Sequence, residues 1–266
     1  MPGIANKVIW ITGASSGIGE ALAYELAKGK AKLILSARRK EELERVKGNC
    51  AASAQPDIRI LPLDLENQST LKLSTDAAIQ IFGHVDILIN NGGISQRSLV
   101  AETSIEVDRR IMEVNYFGAI TLTKYLLAHF IKRKQGHFVT VSSVTGKFGT
   151  PYRSGYAASK HALHGFFDAV RAEHYKDNIK VTMICPGFIH TPITLSALTA
   201  DGSPLQKMDD AQYKGKPAEW CARKIVAAVE KDKEEVYIGG REVFGVYIKR
   251  FFPKLFSRVI RNVAVR

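Results

Sequence analysis

The sequence predicts a doubly wound α/β fold: a mainly parallel seven-stranded sheet with helices on both faces, in a single domain. Three observations carry that expectation. Short β-branched runs alternate with longer amphipathic segments. The runs are continuously apolar, so both faces of their sheet are buried, as in a parallel sheet. The segments between them are long enough for strand–helix–strand crossovers. In order, the candidate elements are a strand at 8–12, a helix at 17–28, a strand at 32–36, a helix at 40–50 and a strand at 58–61. A helix at 68–81, a strand at 85–90, one long helix at 105–133 and a strand at 138–141 follow. The series closes with a helix at 156–176, a strand at 180–184, a helix at 218–230 and a strand at 236–238. No internal repeat or low-complexity linker interrupts it. Two segments fall outside the alternation, an insert at 191–216 and a tail beyond Gly240, so the domain is placed at 1–240 and an extension at 241–266.

Composition removes several classes of function. At 266 residues, 45% hydrophobic and 24% charged, the chain can bury a large core and is not disordered. Apolar runs such as 8–11 and 87–89 are far too short to span a bilayer. The start, Met1-Pro2-Gly3-Ile4, lacks the charged, apolar and small-residue regions of a signal peptide. Cys50, Cys185 and Cys221 are odd in number and widely spaced, so neither a disulfide framework nor a thiolate metal site is expected. A cytoplasmic location, with peripheral membrane association through the tail as an option, is the matching expectation. The net charge of +12 raises nucleic acid as a partner. Half of it lies in 241–266, where Arg241, Lys249, Arg250, Lys254, Arg258, Arg261 and Arg266 face Glu242 alone. A local anion-contacting element therefore suits the charge better than a nucleic-acid-binding body.

The first strand runs into Gly13-Ala14-Ser15-Ser16-Gly17-Ile18-Gly19 and then into the first helix. Glycines at a strand-to-helix turn let backbone N–H groups approach a pyrophosphate at the positive end of the helix dipole. An ordinary loop needing positive φ would show glycines too; the position between first strand and first helix favours the phosphate.

Thr12-Gly13-x-x-x-Gly17-x-Gly19, Asn90-Asn91-Gly92-Gly93, Asn115, Ser143, Tyr156-x-x-x-Lys160 and Pro186-Gly187 stand in the order and spacing of short-chain dehydrogenases/reductases. The resemblance runs from about Lys7 to Gly240, with Gly92 replacing an alanine of the usual motif. Asn115-Tyr116-Phe117-Gly118, the segment 153–162 and Thr199-Ala200-Asp201-Gly202-Ser203 look like the member 7 branch of that family, most nearly its 7B type. That likeness implies a Rossmann-type domain with a nicotinamide cofactor and hydride transfer between it and a carbonyl or secondary alcohol. An apolar, lipid-like substrate is implied, such as an acylated dihydroxyacetone phosphate or a steroid-like ketone. The family also implies a homodimer or homotetramer through its two long helices.

At the end of the second strand, Ser36-Ala37-Arg38-Arg39 offers two guanidiniums and no carboxylate. That composition suits the 2′-phosphate of NADP(H) better than the bare ribose of NAD(H). Arg39 could equally be the solvated start of a helix. Asp64 resembles the family's adenine-contacting residue, or caps the next helix. Thr191 resembles the residue that binds the carboxamide. The family pattern adds Ser15, Ser16, Ile18, Leu65, Asn90, Pro186, Gly187 and Ile189 to Gly13 and Gly17 as cofactor contacts.

Tyr156 and Lys160, four apart on a helix, share a face, and Ser143 follows a strand at the carboxyl edge of the sheet. A ketone needs a proton as well as a hydride. Bringing a phenol from about 10 toward 7 takes roughly 4 kcal/mol. The Lys160 ammonium and the oxidised cofactor's charge are the expected sources, with Ser143 holding the carbonyl oxygen. Asn115, by resemblance, completes a water path from Lys160, and both Tyr156 and Lys160 also contact the cofactor. No His-Glu-x-x-His or Cys/His cluster is present, so no metal is assigned.

The insert at 191–216 has the place of a substrate lid, with Ile193, Leu195, Leu198, Leu205 and Met208 lining a pocket or packing the lid down. In the tail, apolar residues recur by threes and fours from Phe244 to Val263, with a break at Pro253. It could lie in a membrane interface, beside the substrate mouth or on another subunit. The competing class is a dinucleotide-binding sensor or interaction protein without turnover.

Overall fold

The architecture follows from which faces of each strand must be covered. A computed structural model describes residues 3–261; Met1, Pro2, Val263 and Arg266 of the sequence reading lie outside them. In order the chain forms β1 (Val8–Thr12), α1 (Gly17–Lys28), β2 (Lys32–Ser36), α2 (Lys40–Gly48), β3 (Ile58–Ile60), α3 (Gln68–Phe82) and β4 (Ile87–Asn90). Next come α4 (Ile105–Met112), α5 (Gly118–Arg133), β5 (Gly136–Val141), α6 (Ser154–Glu173), β6 (Ile179–Pro186) and β7 (Ile189–His190). The last elements are α7 (Asp210–Tyr213), β8 (Lys216–Pro217), α8 (Ala218–Glu230), β9 (Glu235–Ile238), α9 (Phe244–Phe251) and α10 (Pro253–Ile260).

Seven strands form one sheet in the order β3-β2-β1-β4-β5-β6-β9, with every neighbouring pair parallel. β1 alternates between two buried layers. Ile9 and Ile11 pack with Leu22, Leu26 and Ile225 of α1 and α8. Val8 and Trp10 pack with Leu122, Leu126, Phe130, Leu163 and Phe167 of α5 and α6. Trp10 can face a core because its Nε1–H donates to Ser36 Oγ at 2.8 Å. The chain winds outward from β1 to β3, then crosses back to β4 on the other side of β1. That reversal opens a crevice beyond the carboxyl ends of β1 and β4, where open α/β sheets bind ligands.

Three departures from the sequence reading have local causes. The expected helix at 105–133 is two helices, α4 and α5, joined by a wider π-type turn at Glu113–Phe117. The extra residue turns Asn115 inward, where its Oδ1 accepts from Ile94 N–H (2.8 Å) and its Nδ2 donates to Ile94 O (2.9 Å) and Ser159 Oγ (3.0 Å). Secondly, β7 and β8 pair as a two-stranded ribbon outside the main sheet, too short to show any periodicity. Thirdly, the tail is two helices: Phe252 leaves the helical region (φ −133°, ψ 61°) because the following Pro253 excludes it. Among the described residues of the tail only Phe256 is buried, its ring 5.0 Å from Phe148; Phe244, Phe251, Phe252, Leu255 and Val259 are exposed.

Candidate active site

Gly13 takes a positive φ (+66°), and a Cβ there would lie 2.7 Å from the Gly92 Cα. Glycine is thus required for the β1 and β4 turns to approach each other. Thr12 Oγ1 locks them, accepting from the N–H groups of Asn91 (3.1 Å) and Gly92 (3.0 Å). Asn91 Nδ2 adds bonds to the carbonyls of Thr12 and Gly13, both 3.1 Å. Ser16 makes no side-chain cap, which leaves the first N–H groups of α1 facing the crevice without one. An uncapped helix start beside a glycine turn fits a pyrophosphate. A Cβ on Gly92 would press on Leu65 Cδ1 at 2.6 Å, so the missing methyl leaves Leu65 its room.

The carboxyl ends of β5 and β6 and the start of α6 supply the other functional groups. Ser143 Oγ accepts from Thr145 N–H (3.1 Å) and Thr145 Oγ1 (3.0 Å) and donates to Pro186 O (3.4 Å), which fixes its position. Tyr156 is hydrogen-bonded to Ser143. Lys160 is almost fully buried; its Nζ donates to Val141 O (2.9 Å) and lies 5.7 Å from the centre of the Tyr156 ring. Burial pushes the Lys160 ammonium down to about 8. Asn115 does not line the cleft: it clamps the backbone at Ile94 beneath it.

The acidity of Tyr156 departs from expectation. Burial raises the phenol, and the groups that oppose it are Arg153, the hydrogen bond with Ser143, and Arg97. A unit charge 5.7 Å away is worth about 3 kcal/mol at an effective dielectric of ~20. Lys160 supplies a charge of that order beneath the ring, and burial enlarges the requirement it helps to meet. Arg97 enters the site unannounced by any motif, and Arg153, within the 153–162 segment, with no role foreseen for it, because their shared partner Asp209 lies 112 and 56 residues further on. Gln212 is a third such residue; its Nε2 donates to Ile189 O and to Thr191 Oγ1 (3.1 Å), anchoring the lid ribbon.

A cleft of about 550 Å³ joins these groups. Its wall holds Gly13, Ser15, Ser16, Gly17, Ile18, Arg38, Arg39, Asp64, Leu65, Ser143, Tyr156, Lys160, Pro186, Gly187, Ile189 and Thr191. Asn90 is not in it: the side chain is buried and donates to Thr123 Oγ1 at 3.1 Å. Arg38 and Arg39 are exposed and have no carboxylate partner among the described residues. Asp64 Oδ1 accepts Glu66 N–H (3.0 Å) in a turn ahead of α3, so it braces a loop within the wall. Of the lid's apolar residues, Ile193 and Leu195 line the cleft, whereas Leu198 packs on Val107 and Ile111. His164, Cys185 and Glu235 come within 4.8 Å of one another behind it. Glu235 pairs with Lys147 (2.7 Å) and is hydrogen-bonded to Tyr237, while His164 Nδ1, 3.4 Å from the same carboxylate, is buried without a hydrogen-bond partner.

The family model described as short chain dehydrogenase matches residues 7–201, and the chain belongs to that family of oxidoreductases. Among curated proteins it is similar to Dehydrogenase/reductase SDR family protein 7-like of Anopheles gambiae, 47% identical over 265 residues, 97% of this chain and 83% of the relative. Dehydrogenase/reductase SDR family member 7B of Bos taurus is 42% identical over 267 residues, 98% of this chain and 82% of that one. A short chain dehydrogenase/reductase from Burkholderia phymatum, solved in complex with NAD, has the same fold, with a TM-score of 0.83, 22% identity and 96% of each chain covered.

Proposed function

We propose that the protein is an NADP(H)-dependent oxidoreductase acting on a carbonyl or secondary alcohol. One observation carries the reading: Ser143, Tyr156 and Lys160 share a single cleft with a glycine-rich helix start. A sensor that only bound a dinucleotide would have no use for that catalytic grouping. The glycine turn and the start of α1 would take the pyrophosphate, and Arg38, with Arg39 beside it, the 2′-phosphate. Thr191, Pro186, Gly187 and Ile189 would flank the nicotinamide. When bound, that cofactor donates a hydride to a ketone or takes one from an alcohol.

The chain's own residues do the rest. Ser143 and Tyr156 hold the carbonyl oxygen by hydrogen bonds that strengthen as negative charge develops. Tyr156 O–H gives its proton to that oxygen, and the buried cations stabilise the phenolate left behind. Lys160, braced on Val141 O, keeps a positive charge beneath the ring. Ile193 and Leu195 supply an apolar wall for a lipid-like or steroid-like ketone.

The test is NADPH oxidation against long-chain, steroid-like and phosphorylated ketones, with NADH in parallel. A kcat/KM for NADPH at least about tenfold above that for NADH is expected, falling toward parity in Arg38→Ala. A preference for NADH would overturn the cofactor assignment.

The tail has a part in this reading. No helix of the described residues is long and apolar enough to cross a membrane. The exposed rings of Phe244, Phe251 and Phe252 stand among Lys249, Arg250, Lys254 and Arg258, a pattern that suits peripheral contact with an anionic lipid surface. Flotation with phosphatidylserine vesicles should succeed for the full chain and fail once residues after Gly240 are removed; equal flotation would dismiss the contact. Pairing of α5 and α6 between copies, as a homodimer or homotetramer, completes the proposal.

A further inference from the structure

The tail beyond β9 holds seven basic residues and a single acidic side chain, Glu242. Among the described residues that carboxylate pairs with none of the cations around it. Its Oε1 accepts instead from two backbone N–H groups, Phe188 at 3.0 Å and Gly240 at 2.9 Å. Phe188 belongs to the turn between β6 and β7, 54 residues earlier in the chain. A Cβ on Gly187 would collide with the same oxygen, so glycine at that position is what lets the carboxylate reach the turn.

That turn borders the cleft. Pro186, Gly187 and Ile189 line the wall, whereas Glu242 does not. The turn is tied to several elements: Pro186 O accepts Ser143 Oγ–H (3.4 Å), Gly187 N–H donates to Ile238 O of β9 (2.9 Å), and Phe188 O accepts Lys216 N–H of β8 (2.9 Å). The remaining tie, at Phe188 N–H, is made by Glu242 alone among the described residues. It is a charge-assisted bond, and a half-buried N–H stripped of it would leave the turn without its anchor on that side. The carboxylate is itself held in place. Val243 and Val246, the residues that follow it in the tail, pack against Val144 and Phe148, just beyond Ser143.

We infer that Glu242 is a positioning residue for the nicotinamide half of the cofactor: from outside the cleft it fixes the Pro186–Ile189 turn against which that ring would lie. The tail is thereby a working part of the site. The inference rests on the oxidoreductase reading for what the turn touches, while the bond from tail to turn stands without it. The glycine turn, Arg38 and Arg39 sit after β1 and β2, on the other side of β4 and β5 from β6. Loss of Glu242 is therefore felt at one end of the dinucleotide and not at the other.

The experiment compares the full chain with Glu242→Ala and Glu242→Gln in titrations of NADPH and of 2′-phospho-ADP-ribose, the same dinucleotide without its nicotinamide. Glu242→Ala should weaken NADPH about tenfold and leave 2′-phospho-ADP-ribose within about twofold of the wild type. Glu242→Gln keeps an acceptor oxygen and should recover part of the loss. A Glu242→Ala protein that binds NADPH as the wild type does, or loses both ligands equally, would overturn the inference. Hydrogen exchange in the wild-type chain decides the case if the variants fail to fold. The Phe188 amide should exchange at least about 100-fold more slowly than an open amide, and exchange at the open rate would overturn the inference. If wild-type protein bound neither ligand, the dinucleotide reading would fall and the inference with it. If it bound NADPH but reduced no ketone, the oxidoreductase reading would fail, and the selective effect of Glu242→Ala on NADPH would still establish the positioning role.

Discussion

At Tyr156, burial and charge act in opposite directions: removal from water raises the phenol, while Arg153, Ser143 and Arg97 pull it back. Lys160 contributes through its charge beneath the ring, and that charge is conditional. Its ammonium sits near 8, so it is present below that pH and lost above it. The kcat/KM for ketone reduction should hold on the acid side and decline as pH rises through about 8, in a profile measured by NADPH oxidation. In Lys160→Arg, whose guanidinium stays charged, that decline should vanish from the profile even though the rate falls. Ser143, Tyr156 and Lys160 could be read in the sequence because they stand together in the order and spacing of the family's motifs, with Tyr156 and Lys160 sharing one helical face. Arg97 and Arg153 could not, since their meaning depends on a lid carboxylate far along the chain.

Elements show the same division between local and distant causes. The strands were legible because a sheet covered on both sides demands unbroken apolar runs, and Ile9, Trp10 and Ile11 supply one. The turn that breaks the helix before Gly118 was not: the bonds of Asn115 to Ile94, on another segment, make the wider turn worthwhile. The pairing of β5 with β6 contains a further buried group, His137, whose ring bonds Thr182 Oγ1 at 2.8 Å. Burial pushes His137 down to about 4 from 6.5. The unfolded chain therefore binds this proton first as pH falls. The stability associated with a neutral His137 is present above pH 6.5 and is lost progressively toward pH 4. Chemical denaturation across that range should show a loss on the order of 3 kcal/mol beyond that of His137→Gln. Parallel curves for the two proteins would refute the assignment.

Across the whole molecule, the reversal of strand order at β1 gathers into one cleft the turn after β1, the arginines after β2, the loop after β4, the serine after β5 and the start of α6. The alternation of apolar runs was enough to foresee that crevice, and the family motifs were enough to foresee most of its wall. The docking of the tail was not legible, because the amphipathic pattern from Phe244 onward is compatible with several partners. The ring of Phe256 settles on Phe148, a few residues beyond Ser143, with Ile248 and Ile260 partly buried against that pair, while Phe244, Tyr247, Phe251, Phe252, Leu255 and Val259 stay exposed. Such an assembly is expected to bind cofactor and transfer protons through separable parts. The most direct test is Tyr156→Phe, with NADPH oxidation followed beside a fluorescence titration of NADPH. The account predicts a loss in kcat of at least about 10³-fold with unchanged NADPH affinity; a variant that keeps its turnover within about tenfold of the wild type would contradict it.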